Sequence, residues 1–187
     1  MKDNNNKFNN NLQNKQLLVT VGTTKFDKLI KAIDCKEFYT LLDSKLFNSL
    51  IIQKGNGEYT PVNYNYLINN NTLKCLKDIK VVEYVSNFNL LISNSDIIIS
   101  HCGAGTILET LKNKKTFIGI INDTLMDNHQ LELADTLGKE KYIYYTDVNN
   151  ILKKLKNILD NNEYSLKTNI EINYSLIPSI IDSLIDR

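Results

Sequence analysis

The sequence has few cysteines, no long apolar run and almost no net charge, and each absence excludes a class of protein. The three cysteines, Cys35, Cys75 and Cys102, have no metal-ligand spacing, and so small and odd a number fits a reducing compartment better than a disulfide scaffold. No apolar run approaches the ~20 residues that span a bilayer, and the polar N-terminus gives no secretory signal. A net charge of +1 argues against nucleic acid or an anionic membrane as the main partner.

What is present suits one domain. The 187 residues, 42% hydrophobic and 23% charged, are ordinary for a soluble globular protein with a sizeable core. Residues 1–16 are dominated by Asn and Lys, and we expect a disordered head there. Residues 17–187 then form a single domain. Its last segment, 172–187, predicts an apolar terminal helix that packs back on the domain or meets a partner chain.

The chain is organised around one strand, one glycine turn and one helix start. Residues 96–100 form a short run rich in β-branched side chains, which is typical of a strand buried on both faces of a parallel sheet. The turn that follows contains Gly103 and Gly105, and residues 106–111 have helical spacing. Such a junction presents unpaired N–H groups and the positive end of a helix dipole to an anion, most simply a phosphate.

Three side chains around this turn make the prediction of a phosphate site more specific. His101 precedes the glycines and can donate to a phosphate oxygen, Thr106 can act as N-cap or phosphate donor, and Glu109 lies about one helical turn further on. A carboxylate in that place suits the two hydroxyls of a ribose. The alternative is structural: Thr106 and Glu109 form a capping box, and His101 is a satisfied loop histidine.

Two further junctions follow predicted strands. Gly22 and Thr23 come directly after an apolar run at 17–21, and the polar cluster 122–130 follows the run at 116–121. Ligands sit beyond the carboxyl ends of strands in doubly wound sheets, so both junctions are candidates for lips of one crevice. Taken alone, the first junction is better explained as a plain β–α connection, and a helix cap at Asp127 or Asn128 explains the second equally well.

The remaining patterns predict an α/β, Rossmann-like, doubly wound and mostly parallel sheet. We expect further strands at 49–53, 79–85 and 141–145, with an irregular polar loop or insertion at 58–77. Helices are expected over 26–42 in two pieces, 88–92, 131–137 and 149–159.

The two polar junctions together resemble a known family. Residues 100–109, followed after a spacer by 122–130, closely resemble the catalytic subunit of the two-chain UDP-N-acetylglucosamine (UDP-GlcNAc) transferase of N-glycan assembly. The segments 19–24 and 50–55 also look like that family, and the resemblance covers roughly residues 17–130. It implies the carboxyl-terminal, donor-binding half of a GT-B glycosyltransferase of the family 28 type.

The resemblance also implies roles for named positions. The diphosphate of the donor falls near His101, Gly103 and Thr106, and the ribose diol falls on Glu109. The sugar falls near the segment 128–130, with Gln130 the best candidate for its hydroxyls. The full set of predicted binding residues is Gly22, Thr23, His101, Gly103, Ala104, Gly105, Thr106, Glu109, Asn128, His129 and Gln130.

The implied reaction moves GlcNAc from UDP-GlcNAc to dolichol diphosphate-GlcNAc with inversion. A helix N-terminus with His101 would stabilise the departing UDP, and the sequence has no D-x-D pair, so neither a metal nor another cofactor is expected. The family also implies a membrane-anchored partner that holds the acceptor at the cytosolic face of the endoplasmic reticulum, docked through residues 172–187. A non-catalytic UDP-sugar binding module, another family 28-like transferase and a plain interaction domain remain open, and the general base is unassigned.

Overall fold

The computed structural model describes residues 14–122 and 128–161. Within them the strands are β1 (Lys15–Thr20), β2 (Phe47–Gln53), β3 (Asp78–Val82), β4 (Ile97–His101), β5 (Thr116–Ile121) and β6 (Tyr144–Asp147). The α-helices are α1 (Asp27–Ile33), α2 (Lys36–Ser44), α3 (Asn63–Asn69), α4 (Phe88–Asn94), α5 (Ala104–Lys112), α6 (Asn128–Lys139) and α7 (Ile151–Asp160).

These strands form one sheet in the order β3-β2-β1-β4-β5-β6, and every neighbouring pair is parallel. The chain moves outward from β1 to β3, returns to place β4 beside β1, and then moves outward again to β6. This reversal is the signature of a doubly wound sheet. The predicted Rossmann-like fold is confirmed, and the sheet is wholly rather than mostly parallel.

Helices cover both faces of the sheet. Alternate residues of β1 serve the two cores: Leu17 and Val19 belong to one cluster and Leu18 to the other. The first cluster contains the buried side chains of α1, α2, α3 and α7, and the second contains those of α4, α5 and α6. Burial on both faces explains why the central strands read as continuous apolar runs.

The segment 58–77 is more ordered than expected. The prediction of an irregular loop was wrong for α3, which is fixed to the first layer of helices through the buried carboxylate of Asp34. That carboxylate accepts hydrogen bonds from the hydroxyls of Tyr39 (2.6 Å) and Tyr59 (2.7 Å) and from the N–H groups of Val62 (3.0 Å) and Asn63 (3.1 Å). Those donors lie 5 to 29 positions from Asp34, so local patterning gave no sign of them.

A second carboxylate holds the far end of the same segment. Asp43 Oδ1 accepts from three successive backbone N–H groups, those of Lys74 (2.7 Å), Cys75 (2.6 Å) and Leu76 (2.9 Å). Successive N–H groups that converge on one carboxylate oxygen form a tight turn without a regular helix or strand. The segment between β2 and β3 is therefore fastened at both ends to the α1–α2 layer.

The start of β1 also differs from the expectation. The strand begins at Lys15, inside the predicted head, because its N–H donates to Asn48 Oδ1 (3.1 Å). The next N–H, that of Gln16, donates to Asp96 Oδ2 (2.8 Å). Side chains from the starts of β2 and β4 thus extend the strand by two residues. The other residues of the predicted head, 1–13, lie outside the described part.

Two strand ends shift for local reasons. β3 ends at Val82, whose carbonyl accepts the N–H of Lys54 (2.9 Å), rather than at residue 85. β6 starts at Tyr144 rather than at 141, because Lys141 has a φ of 59° and closes α6 by donating to the carbonyl of Gly138 (2.9 Å). The predicted terminal helix, 172–187, lies outside the described residues. None of the helices within 14–122 and 128–161 combines the length and apolar character needed to cross a bilayer.

Candidate functional site

The candidate site lies where β1 and β4 end side by side. Thr20 and Ser100 are register partners near the carboxyl ends of these strands. The chain leaves β1 for helices on one face of the sheet and leaves β4 for α5 on the other face, so a crevice opens between the two connections. Open α/β sheets bind ligands at this switch point. The predicted neighbourhood of the two glycine loops is confirmed.

His101 contacts both loops. A Cβ placed on Gly103 would lie 2.5 Å from His101 Nε2, and a Cβ placed on Gly22 would lie 3.5 Å from His101 Cε1. The imidazole thus fills the space between the two glycines. Its other nitrogen, Nδ1, lies 3.3 Å from the hydroxyl oxygen of Ser100. Burial lowers the pKa of His101 below the ordinary 6.5, because the charged form would lose water, so the ring is neutral at neutral pH.

Helix α5 starts earlier than the sequence suggested. Gly103, not Thr106, is the N-cap residue, and Thr106 is buried within the first turn, where its carbonyl accepts from Thr110 Oγ1 (2.7 Å). The capping-box alternative is therefore wrong. Among the described residues, the N–H groups of Ala104, Gly105 and Thr106 have no acceptor. An open first turn of this kind is where helices bind anions.

Glu109 lies one turn further along α5 and is half-buried against α4. Its Oε1 accepts a hydrogen bond from Asn89 Nδ2, and Oε2 has no partner among the described residues. Asn89 belongs to the first turn of α4, which Asn87 caps by accepting the N–H of Leu90 (3.0 Å). The carboxylate is thus held at one oxygen and open at the other.

The loop after β1 forms the opposite wall. Gly22 has a φ of 61°, a conformation that other residues rarely adopt, and its N–H donates to Thr20 Oγ1 (3.0 Å). The N–H of Thr24 donates to the carbonyl of Val21 (3.2 Å). Thr23 is exposed, and its N–H has no acceptor within the described part of the chain. Of this loop, Thr23 is therefore the residue that presents an open donor.

Residue 122, where the predicted polar cluster 122–130 begins, lies at the same edge of the sheet. β5 is parallel to β4 and adjacent to it, so residue 122 lies beside the end of β4. Asn122 is buried at the end of β5, and Gln130 is half-buried in the first turn of α6. Residues 123–127 and the side chains of Asn128 and His129 lie outside what the structure describes.

Cys102 contributes packing rather than chemistry to the site. Cys102 is buried where β5 makes room for it, since a Cβ on Gly119 would lie 2.5 Å from the Cys102 sulfur. Burial raises the pKa of this thiol to about 12, which fits packing rather than reactivity. Within residues 14–122 and 128–161, no three His, Cys, Asp or Glu side chains are grouped to hold a metal ion.

Sequence reasoning missed three polar side chains around the crevice: Asn56, Tyr84 and Asn89. Asn56 follows β2 and Tyr84 follows β3, so each stands at the carboxyl end of a strand, the signal used for the other junctions. Asn56 sits in a run that reads simply as a turn, and Tyr84 falls inside a run predicted to be a strand. Asn89 could have been found only from its position opposite Glu109.

Comparison with known proteins settles the family. Residues 16–184 match the model of the glycosyltransferase family 28 C-terminal domain. The chain belongs to this family. It is 39% identical over 131 residues to human UDP-N-acetylglucosamine transferase subunit ALG13, covering 70% of this chain and 11% of that protein. The corresponding subunit of Candida albicans is 34% identical over 186 residues, covering 82% of this chain and 62% of that protein.

A solved structure supports the fold of this family 28 domain. The solution NMR structure of ALG13 superposes with a TM-score of 0.65 and 24% identity, covering 91% of this chain and 97% of that one. The resemblance seen in the sequence is therefore confirmed. The chain spans only 11% of the human relative's length and 62% of the Candida relative's, so it corresponds to one part of those proteins.

Proposed function

We propose that this chain binds UDP-GlcNAc in the crevice between β1 and β4 and, with a second subunit, transfers GlcNAc to dolichol diphosphate-GlcNAc with inversion. The observation that carries this proposal is the contact of His101 with both glycine loops, beside the open first turn of α5. The names of the relatives, which are subunits of a UDP-GlcNAc transferase, support the donor and the need for a partner.

The diphosphate belongs at the start of α5. The N–H groups of Ala104, Gly105 and Thr106, with the positive end of the helix dipole, favour an anion there. A neutral His101 that accepts the Ser100 hydroxyl at Nδ1 carries its proton on Nε2, the nitrogen beside Gly103, and can donate it to a phosphate oxygen. Gly22 and Thr23 close the site from the other side.

The ribose belongs at Glu109. One carboxylate oxygen is held by Asn89, and the other is open to accept from a hydroxyl. The two neighbouring ribose hydroxyls can each donate a short, charge-assisted hydrogen bond to this carboxylate. On the far side of the crevice, Asn128, His129 and Gln130 of α6 would face the sugar, with Gln130 the best candidate for its hydroxyls.

The chemistry is displacement at the anomeric carbon. The acceptor hydroxyl forms a bond to that carbon from the face opposite the diphosphate, the bond to UDP breaks, and the hydroxyl proton passes to a general base. Negative charge develops on the departing phosphate oxygen, where the α5 donors and His101 are already oriented. In this proposal the general base and the acceptor site belong to the second, membrane-anchored subunit, which places the chain at the cytosolic face of the endoplasmic reticulum.

Because the sequence contains no D-x-D pair, we propose that transfer needs no divalent ion. Activity of the reconstituted pair should survive EDTA. A requirement for added manganese would contradict this part of the proposal.

Titration with UDP-GlcNAc tests the function. Glu109→Gln should weaken binding by about 10- to 150-fold, the loss expected for a hydrogen bond to a charged group. Glu37→Gln, the same change on α2, is the matched control and should bind like the wild type. Transfer assayed with and without the second subunit then separates a transferase from a binding module. Binding without transfer in the complete pair would favour a non-catalytic UDP-sugar module, and no binding at all would refute the proposal.

A further inference from the structure

The turn after β2, residues 54–57, presses against the candidate ligand loop Gly22–Thr24. Gly55 has a φ of 57°, and a Cβ there would lie 2.4 Å from the carbonyl oxygen of Thr24 and 2.8 Å from that of Gly22. No side chain fits between the two loops. The turn therefore constrains the backbone path of the candidate ligand loop Gly22–Thr24.

Asn56 ties the two loops together. Its N–H donates to the carbonyl of Thr24 (3.2 Å), and its Nδ2 donates to the carbonyl of Thr23 (2.9 Å). The open N–H of Thr23 belongs to the preceding peptide unit, whose carbonyl is that of Gly22 and packs against Gly55. Because each peptide unit is planar, Gly55 constrains the unit that contains the Thr23 N–H, and Asn56 holds the next unit, which contains the Thr23 carbonyl. Both peptide units that meet at the Cα of Thr23 are therefore held by the turn after β2.

Tyr84, on the connection after β3, orients the Asn56 amide. Its hydroxyl donates to Asn56 Oδ1, which turns Nδ2 toward Thr23. The connections after β3, β2 and β1 are thus linked in sequence by Tyr84, Asn56 and Thr23. Hydrogen bonds thus connect the loops after three strands to the backbone of Thr23 in the candidate site.

We propose that Asn56, oriented by Tyr84, is a positioning residue that aims the N–H of Thr23 at the nucleotide diphosphate. The inference rests on the proposed function, since it assigns a role within the same site. Asn56 itself does not touch the ligand in this arrangement, and its effect passes through the Thr23 peptide.

Asn56→Asp is the test, because it is nearly isosteric and keeps the acceptor for Tyr84 while it replaces the donor to Thr23 with a carboxylate. We expect UDP-GlcNAc to bind about 3- to 10-fold more weakly, the range for one hydrogen bond of ordinary strength. Tyr84→Phe should cause a smaller loss. Asn70→Asp is the matched control, because Asn70 Nδ2 also donates to a backbone carbonyl, that of Tyr66 (2.8 Å), on α3.

Two readouts distinguish positioning from general destabilisation. In the ligand-free protein, the amide resonance of Thr23 should shift in Asn56→Asp and stay in place in Asn70→Asp. In the reconstituted pair, the KM for UDP-GlcNAc should rise while the KM for the acceptor stays constant. Equal donor affinity in Asn56→Asp and Asn70→Asp, with a wild type that binds, would overturn this inference alone. A wild type that binds neither UDP nor UDP-GlcNAc would overturn the proposed function and this inference with it.

Discussion

Gly103→Ala tests whether His101 must lie against the start of α5. The new Cβ would lie 2.5 Å from His101 Nε2 and 3.0 Å from Cδ2. Ordinary carbon contacts are about 3.5–4.0 Å, so the ring would have to move by roughly 1 Å. The φ of Gly103 is −78°, which alanine adopts without strain, so the helix start itself should survive. The substitution therefore displaces one imidazole and leaves the backbone in place.

The expected loss is that of one donor to a phosphate. A hydrogen bond to a charged group contributes about 1.5–3 kcal/mol, which corresponds to roughly a 10- to 150-fold rise in the Kd for UDP. Isothermal titration of UDP measures it, with thermal unfolding recorded on the same samples. His101→Ala should cause a similar loss, and the double variant should lose little more, because both changes remove the same contact.

Gly138→Ala is the steric control. A Cβ on Gly138 would lie 2.4 Å from Tyr145 Cε1, so it also displaces an aromatic ring, but near the end of α6 away from the crevice. It should lower stability without changing the Kd for UDP. Wild-type UDP affinity in Gly103→Ala, or a loss that Gly138→Ala reproduces, would refute the reasoning.

Three further predictions follow from single contacts. Asp34→Asn should lower the free energy of unfolding in urea by about 2–4 kcal/mol, because it removes a buried charge that several donors share. Tyr39→Phe removes one of those donors and should lower it by about 1 kcal/mol. Equally small losses in the two variants would contradict the shared role of Asp34. Lys114→Gly should raise stability by about 0.5–1 kcal/mol, because Lys114 has a φ of 55° that glycine adopts freely, and a lower Tm would contradict this. NMR titration, with His129→Gln for assignment, should give His101 a pKa below 6.5 that rises when UDP-GlcNAc binds. The free energy of unfolding should increase with pH between that lowered pKa and 6.5, because the unfolded chain holds more protons in this range.

The site's location could be predicted because it depends on short-range signals. Apolar runs such as Ile97–Ile99 identify buried parallel strands, and glycines directly after them mark close turns. Parallel strands end at one edge, so the loops after residues 20, 100 and 121 had to lie close together once the fold class was right. The contact of His101 with Gly22, by contrast, was not predicted and is seen only in the structure.

The predicted start of α5 was wrong for a physical reason. The sequence interpretation assigned both glycines to the turn before the helix, because glycine allows a tight turn and close approach of a ligand to the backbone. Gly105 lies in the first turn, where no intrahelical bond is lost, and the buried side chains of Ile107 and Leu111 hold the helix against the sheet. The helix therefore extends back until Gly103, whose ψ of 128° ends it.

Contacts between distant residues could not be predicted at all. Asn56 reaches Thr23 across 33 positions, and Asp34 reaches the N–H of Asn63 across 29. Each is a single polar side chain in an otherwise ordinary run. Nothing in their own segments distinguishes them from other polar residues, so their partners become visible only in the folded structure.

In the proposed complex, the crevice would hold the diphosphate through oriented dipoles rather than through charged side chains. Lys25 and Lys54, the lysines closest in sequence to its walls, are paired with Glu58 and with Glu83 (3.5 Å), and His101 is neutral. Dipole and hydrogen-bond contacts inside a partly closed site are screened by salt much less than exposed charges are. We therefore expect the Kd for UDP to change by less than about 3-fold between 50 and 500 mM NaCl, measured by titration at constant pH. A steeper dependence would show that cationic side chains, from residues 162–187 or from a partner, contact the diphosphate.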